Sequence, residues 1–131
     1  MRNFNAAIER SDVRQVISRL RQGAVVWYGP DQDYGRKHSV FAPFFGVPAA
    51  TVTATARITK ITKAEVVVFS HFRDEKSGRY LIKLSKLPES YPTDNEIRNC
   101  TIVNSAIEEA IIKDPAQYWW VHRRFKTRPP G

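Results

Sequence analysis

Three histidines are the side chains of this sequence best suited to accept a proton, since imidazole titrates near neutral pH and a nearby carboxylate can orient it. His71 and Glu75 are four residues apart, a spacing that would place both on one face of a helix, but the surrounding pattern is that of strand and turn. A histidine without such a partner is more often structural or simply exposed. We therefore assign no base role to His38, His71 or His122.

Two carboxylates, Asp31 and Asp33, follow the apolar residues 24–28, which we predict to form a short buried strand. α/β folds commonly bind ligands just beyond the ends of buried strands. In an extended segment, alternate residues point the same way, so both carboxylates could orient a histidine, a basic residue or a substrate hydroxyl. The alternative is that these aspartates only cap turns within residues 29–35.

The C-terminal tail concentrates aromatic and basic side chains: Trp119, Trp120, Arg123, Arg124, Lys126 and Arg128. Aromatic rings interleaved with cations can stack on single-stranded bases. The same side chains can anchor at a membrane interface, where indoles lie at headgroup level and cations meet phosphates. A third interpretation places the tryptophans in the core and the arginine heads in water. These alternatives stay open from the residues alone.

The composition limits the class of binding partner but does not distinguish among the anionic ones. The 131 residues suffice for a single domain, and 21 basic against 13 acidic residues give a net charge of +8, which favours nucleic acid, anionic headgroups or a phosphorylated substrate. A single cysteine excludes an internal disulfide and a multi-cysteine metal site. The sequence has no phosphate-binding glycine loop, no nucleophile-elbow motif and no paired metal-ligand motif, so we predict neither cofactor nor metal.

The hydrophobic pattern predicts an α/β chain. The predicted elements are a helix over residues 11–22 capped by Ser11, the strand at 24–28, a helix over residues 49–62 after Pro48, a hairpin of residues 65–72 and 79–84, and a helix from Thr93 to Asp114. Residues 93–96 (TDNE) fit a capping box. Residues 40–47 are apolar but interrupted by proline and glycine, so a buried loop, a pocket lining and a lipid-contacting patch all remain open.

Three blocks give the chain a resemblance to a known family. They are residues 26–35 (VWYGPDQDYG), 40–51 (VFAPFFGVPAAT) and 115–129 (PAQYWWVHRRFKTRP). In this order and spacing they resemble the bacterial lipid A late acyltransferases, the lauroyl and myristoyl transferases of lipopolysaccharide assembly. The resemblance extends over essentially the whole chain.

The resemblance implies an inner-membrane enzyme acting at the cytoplasmic face, with an N-terminal membrane helix and an α/β core whose mixed sheet is flanked by helices. Such enzymes move an acyl chain from acyl carrier protein to a hydroxyl of the Kdo-bearing lipid A precursor. Implied partners are therefore the acyl carrier protein thioester, the lipid A precursor and an anionic membrane surface, with no cofactor and no nucleic acid.

The family's catalytic signature, His-x-x-x-x-Asp/Glu, supplies a general base and the carboxylate that orients it. The residues five positions after the three histidines of this chain are Pro43, Lys76 and Thr127, so no catalytic residue is assigned here. We expect residues 1–131 to be one partial domain, the C-terminal part of such an enzyme, without the membrane helix or the signature segment. We also expect little or no activity from the chain alone.

The resemblance also assigns expected roles to the candidate residues. Asp31 and Asp33 are expected in the active-site wall, and the tail cations Arg123, Arg124, Lys126 and Arg128 at lipid phosphates or the membrane interface. Residues 40–47 could line an acyl path or pack in the core. The alternative function, carried by charge and aromatic content alone, is a small basic nucleic-acid-binding module.

Overall fold

Three α-helices and two separate β-hairpins form the fold in a computed structural model that describes residues 6–9 and 11–131. In chain order the elements are α1 (Val13–Arg21), β1 (Ser39–Phe44), β2 (Val47–Val52), α2 (Ala54–Thr62), β3 (Val67–Arg73), β4 (Tyr80–Lys86), α3 (Glu96–Lys113) and a 3₁₀ turn (Pro115–Gln117). The α/β class is confirmed. In the described part of the chain, both two-stranded sheets are antiparallel.

The first hairpin settles the structure of residues 40–47, which form a strand and a tight turn rather than a loop. β1 and β2 pair from Ser39–Val52 to Phe44–Val47, joined by Phe45 and Gly46. Both turn residues have positive φ, 49° and 74°, the geometry whose twist matches that of the paired strands.

The helix predicted over residues 49–62 is wrong in its first turn, because residues 49–52 belong to β2 and α2 begins only at Ala54. Pairing with β1 buries Ala49, Ala50 and Thr51 almost completely. Tertiary burial therefore overrides the helix-start signal of Pro48.

Helix α3 packs on β1 and supplies one side of the core. Phe44, Ala49 and Ile111 form a buried cluster, with Ile107, Tyr118 and Phe125 packed against it. The predicted end of the helix at Asp114–Pro115 is confirmed, since α3 ends at Lys113.

The predicted start of α3 at Thr93 is wrong, because Asn95 is the N-cap and accepts a 2.9 Å hydrogen bond from the backbone N–H of Arg98. Thr93 instead binds the side chain of Asn99. Ile97, in the first turn of α3, is exposed.

The strand predicted at residues 24–28 is not formed. Val25 is 98% exposed, and the described strands all pair elsewhere. A strand needs neighbours to satisfy its backbone N–H and C=O groups, and residues 24–28 have no strand beside them in the described structure. The helix before it is confirmed with a shifted cap: Asp12, not Ser11, accepts the hydrogen bond from the Gln15 backbone N–H.

The second hairpin is confirmed. β3 and β4 pair in register from Val67–Lys86 to Arg73–Tyr80. Asp74 closes the turn between them by accepting hydrogen bonds from the Lys76 backbone and the Ser77 hydroxyl. None of the helices in the described residues is both long and apolar enough to cross a bilayer.

Candidate functional site

Asp31 lies in a cluster with Tyr118 and His122, where the tail folds back onto the loop after residue 30. The Tyr118 hydroxyl donates a 2.8 Å hydrogen bond to Asp31 Oδ2 and lies 2.8 Å from His122 Nε2. His122 Nε2 is 3.5 Å from the same carboxylate oxygen. The side chains of Tyr118 and His122 therefore meet at Asp31 Oδ2. Tyr118 and His122 are four residues apart, whereas Asp31 is 87 residues from Tyr118 in sequence.

The end of α3 places Tyr118 in this cluster. The 3₁₀ turn Pro115–Gln117 stops the helix and leaves Tyr118 extended. The Trp120 indole N–H donates to the Pro115 carbonyl over 2.8 Å and holds the next part of the tail against this turn. Tyr118 and His122, four residues apart, then present their polar atoms to Asp31.

The arrangement holds the Asp31 carboxylate and the His122 imidazole in place, and both are in contact with the Tyr118 hydroxyl. Burial, and then the charge of Asp31, raise the pKa of Tyr118 well above its ordinary value, so its hydroxyl remains a donor at neutral pH. The side chains of His122 and Asp31 are 14% and 23% exposed, so water reaches this cluster only partly. Such a cluster can orient a group placed beside the carboxylate.

Asp33 joins the same loop to the end of the tail. Its carboxylate accepts hydrogen bonds from the backbone N–H of Thr127 at 2.6 Å, the Thr127 hydroxyl at 2.8 Å and the backbone N–H of Gly35 at 2.9 Å. Burial opposes its charge, but these hydrogen bonds outweigh burial and lower the pKa of Asp33. The charge of Lys126 acts in the same direction. Asp33 is therefore ionised and attaches its loop to the tail at Thr127. It also caps a turn by accepting from the Gly35 N–H.

Arg124 lies in the interior rather than at the surface, with 2% of its area exposed. Its guanidinium donates to the Ala50 carbonyl at 2.6 Å, to Thr51 Oγ1 at 2.8 Å and to Asn104 Oδ1 at 3.2 Å. The guanidinium carbon also lies 5.0 Å from the centre of the Phe44 ring. Burial lowers its pKa. This side chain connects β2, α3 and the tail, and its burial leaves almost no surface for the phosphate contact expected from the sequence.

The interpretation with tail tryptophans in the core and arginine heads in water is wrong for both tryptophans and for Arg124, and it holds for Arg123 and Arg128. Trp119 and Trp120 are 65% and 50% exposed, whereas Arg124 is buried. The other tail cations, Arg123, Lys126 and Arg128, are exposed. The two indoles and three of the tail cations are therefore exposed to solvent, whereas the fourth cation is buried and stabilises the fold.

Five residues that make these contacts were given no site role from the sequence: Tyr118 and His122 at Asp31, Thr127 at Asp33, and Thr51 and Asn104 at Arg124. The spacing of Tyr118 and His122 was visible, but their meeting with Asp31 depends on a tail that reverses direction. The buried amide of Asn104 could have been noticed as a polar residue among the apolar positions of α3. In the described part of the chain, no group of His, Cys, Asp and Glu side chains could hold a metal ion.

Comparison with known proteins identifies the family. The model of the bacterial lipid A biosynthesis acyltransferases matches residues 2–127. The chain belongs to this family. Nothing in the comparisons supports the nucleic-acid-binding alternative.

Individual relatives agree. The chain is 41% identical to a lipid A biosynthesis palmitoleoyltransferase of Escherichia coli K12 and 38% identical to a lipid A biosynthesis lauroyltransferase of the same strain. Both alignments include the whole of this chain and 43% of the relative. A lipid A biosynthesis acyltransferase of Haemophilus influenzae is 36% identical over 98% of this chain and 42% of its own length. The chain thus spans less than half the length of these relatives.

Proposed function

We propose that this chain forms the part of a lipid A biosynthesis acyltransferase that contributes Asp31 and Asp33 to the active-site wall. The reaction is transfer of an acyl chain from the thioester of acyl carrier protein to a hydroxyl of the Kdo-bearing lipid A precursor. The observation that carries the proposal is Asp31 Oδ2, which lies 2.8 Å from the Tyr118 hydroxyl and 3.5 Å from His122 Nε2. A carboxylate restrained in this way can orient a group of the substrate or of the base.

The two aspartates have different tasks in this proposal. Asp31, partly exposed and bound by side chains only, faces the reacting groups. Asp33, bound twice by Thr127 and once by Gly35, holds the loop that carries Asp31 against the tail. Replacing Asp33 should therefore lower activity by displacing the loop that carries Asp31. Replacing Asp31 should lower activity by removing a group that orients the reactants.

The base is proposed to come from the family's His-x-x-x-x-Asp/Glu segment, which no histidine of this sequence satisfies. A base must take the proton of the attacking hydroxyl while charge develops on the thioester oxygen. We accordingly propose that the 131-residue chain alone transfers little or no acyl group.

The membrane partner is proposed to meet the exposed part of the tail. Arg123, Lys126 and Arg128 are exposed beside the indoles of Trp119 and Trp120. Cations bind lipid phosphates, and indole rings prefer the headgroup level of a bilayer. The net charge of +8 suits the anionic inner leaflet and the acidic carrier protein alike, so we place the protein at the cytoplasmic face of the inner membrane.

The test is a chimera that joins this chain to the preceding segment of the E. coli palmitoleoyltransferase, in place of the aligned part of that relative. Acyl transfer from acyl carrier protein to lipid A precursor is measured for the chimera, for the chain alone and for the chimera with Asp31→Asn. Asp74→Asn, in an exposed turn, is the matched control.

We expect an active chimera, an inactive isolated chain and at least a roughly hundredfold lower kcat for Asp31→Asn, as is typical when a group that positions reactants is lost. The Asp74→Asn control should keep full activity. Full activity of the Asp31→Asn chimera would reject the role of Asp31, and native activity of the isolated chain would reject the proposed origin of the base.

A further inference from the structure

The hairpin of β3 and β4 has one face that is apolar and bare. Directly paired residues of an antiparallel ladder project to the same side, so the register places Val67, Phe69, His71, Tyr80, Ile82 and Leu84 on this outer face. Tyr80, Ile82 and Leu84 are each about 60% exposed or more. Rings of His71 lie 5.8 and 6.0 Å from those of Phe69 and Tyr80, so the side chains form one continuous surface.

The opposite face is partly covered by the rest of the protein along β3, whereas its β4 residues, Leu81, Lys83 and Ser85, are exposed. Val68, Ser70 and Phe72 are half-buried, which gives β3 a strict alternation of exposed and half-buried residues. Gln117, at the end of the 3₁₀ turn, accepts from the Arg73 backbone N–H at 2.7 Å and donates to its carbonyl at 3.0 Å. The hairpin is thus attached to the start of the tail through β3, while its outer face and all of β4 are exposed.

The charges around this face are mainly positive. Residues 65–86 contain five basic and three acidic residues, a net charge of +2 with His71 neutral. Arg73 and Lys86 lie at opposite ends of the outer face, because they pair with Tyr80 and Val67. Lys86 also forms a 2.7 Å ion pair with Glu65, and both side chains of that pair are exposed. One of the acids, Asp74, is occupied by its turn hydrogen bonds. A basic border around apolar side chains complements an anionic lipid surface, in which phosphates surround a hydrocarbon interior.

We propose that the outer face of the β3–β4 hairpin docks the protein on an anionic phospholipid surface, with Phe69, Ile82 and Leu84 entering the headgroup–acyl boundary. Arg73 contacts lipid phosphates at one end, and Lys86 does so at the other end by exchanging its exposed ion pair with Glu65 for a phosphate. The proposal rests on the proposed function for the presence of a lipid surface, and adds a second contact to the one made by the tail. The Gln117–Arg73 hydrogen bonds join the two contacts.

An environment-sensitive NBD label at position 84 tests this contact. Leu84→Cys is labelled in the full chain, where burial raises the pKa of the native Cys100 thiol to about 11 and protects it from the reagent. Ile61→Cys on α2, also an exposed apolar position, is the matched control. The probes are vesicles of phosphatidylcholine with phosphatidylglycerol, and vesicles of phosphatidylcholine alone, with binding measured in parallel by co-sedimentation.

We expect the label at position 84 to shift to the blue with anionic vesicles, and the label at position 61 to stay unchanged. In unlabelled protein, Ile82→Asp should weaken vesicle binding by roughly tenfold or more, because an apolar side chain no longer enters the bilayer, while Ile61→Asp should have little effect. Circular dichroism of both variants confirms that the fold is retained.

Other outcomes overturn the proposal in distinguishable ways. Sedimentation with anionic vesicles but no shift at position 84 rejects the hairpin contact and leaves the tail contact standing. If the protein shows no sedimentation with vesicles and no shift of the label, both membrane contacts are rejected. The acyl-transfer activity of the chimera tests the proposed function independently of this result. A blue shift that grows with protein concentration in the absence of vesicles shows that the face binds a second copy instead.

Discussion

Replacing Arg124 by methionine should lower the free energy of unfolding by about 2–4 kcal/mol. Methionine fills similar space without a charge. It leaves Asn104 Oδ1 with no donor among the described residues, in a side chain with no exposed area. The Ala50 carbonyl loses its 2.6 Å bond as well. Each buried polar group without a partner costs about 1–3 kcal/mol.

Two effects act in the opposite direction and set the upper limit of this loss. The variant no longer buries a positive charge, and the Arg124 Nε–H, which has no acceptor in the described structure, disappears. Arg124→Lys separates these effects, because it keeps the buried charge but gives up the planar fork. We expect Arg124→Lys to be at least as destabilised as Arg124→Met.

The measurement is urea denaturation at neutral pH followed by circular dichroism, for the parent, Arg124→Met, Asn104→Leu and the double variant. The coupling free energy from this cycle should be about 1–2 kcal/mol, since Asn104→Leu removes the acceptor that Arg124→Met leaves unsatisfied. An Arg124→Met protein within about 0.5 kcal/mol of the parent would show that the guanidinium's hydrogen bonds only balance its desolvation, which would refute this reasoning.

Three further variants test other contacts by the same denaturation assay. The lowered pKa of Asp33 means that its charge stabilises the folded state above its ordinary pKa of 3.8 and that this contribution fades as the pH falls further. Asp33→Asn should therefore cost about 1–2 kcal/mol at neutral pH, after allowance for solvent screening, and progressively less below about pH 4; a gap independent of pH would contradict the role of the charge. Tyr118→Phe should cost about 1 kcal/mol by removing the donor to Asp31, and parent-like stability would argue against that bond. Gly46→Ala should cost about 1 kcal/mol because φ is 74° there, and an unchanged protein would argue against the two-residue turn.

The sequence by itself determined the features that depend on neighbours along the chain. The β3–β4 hairpin follows from two β-type runs separated by a polar turn, and the end of α3 from Asp114–Pro115, because a residue before proline leaves the helical region. Three residue blocks also sufficed to indicate the family that the comparisons confirm. The sequence pattern that predicts the α1 helix is equally local, and its N-cap differs from the prediction by one residue.

Tertiary structure decided whatever depends on a partner distant in the chain. Residues 24–28 have the composition of a strand but no strand beside them in the described structure, and residues 49–52 left a predicted helix because β1 lies alongside. Arg124 has the same local pattern as its exposed neighbour Arg123, yet three acceptors from β2 and α3 hold it inside. The meeting of Asp31 with Tyr118 was invisible for the same reason: hydrogen bonds over 87 residues of sequence separation are set by how the chain folds back, which no local pattern records.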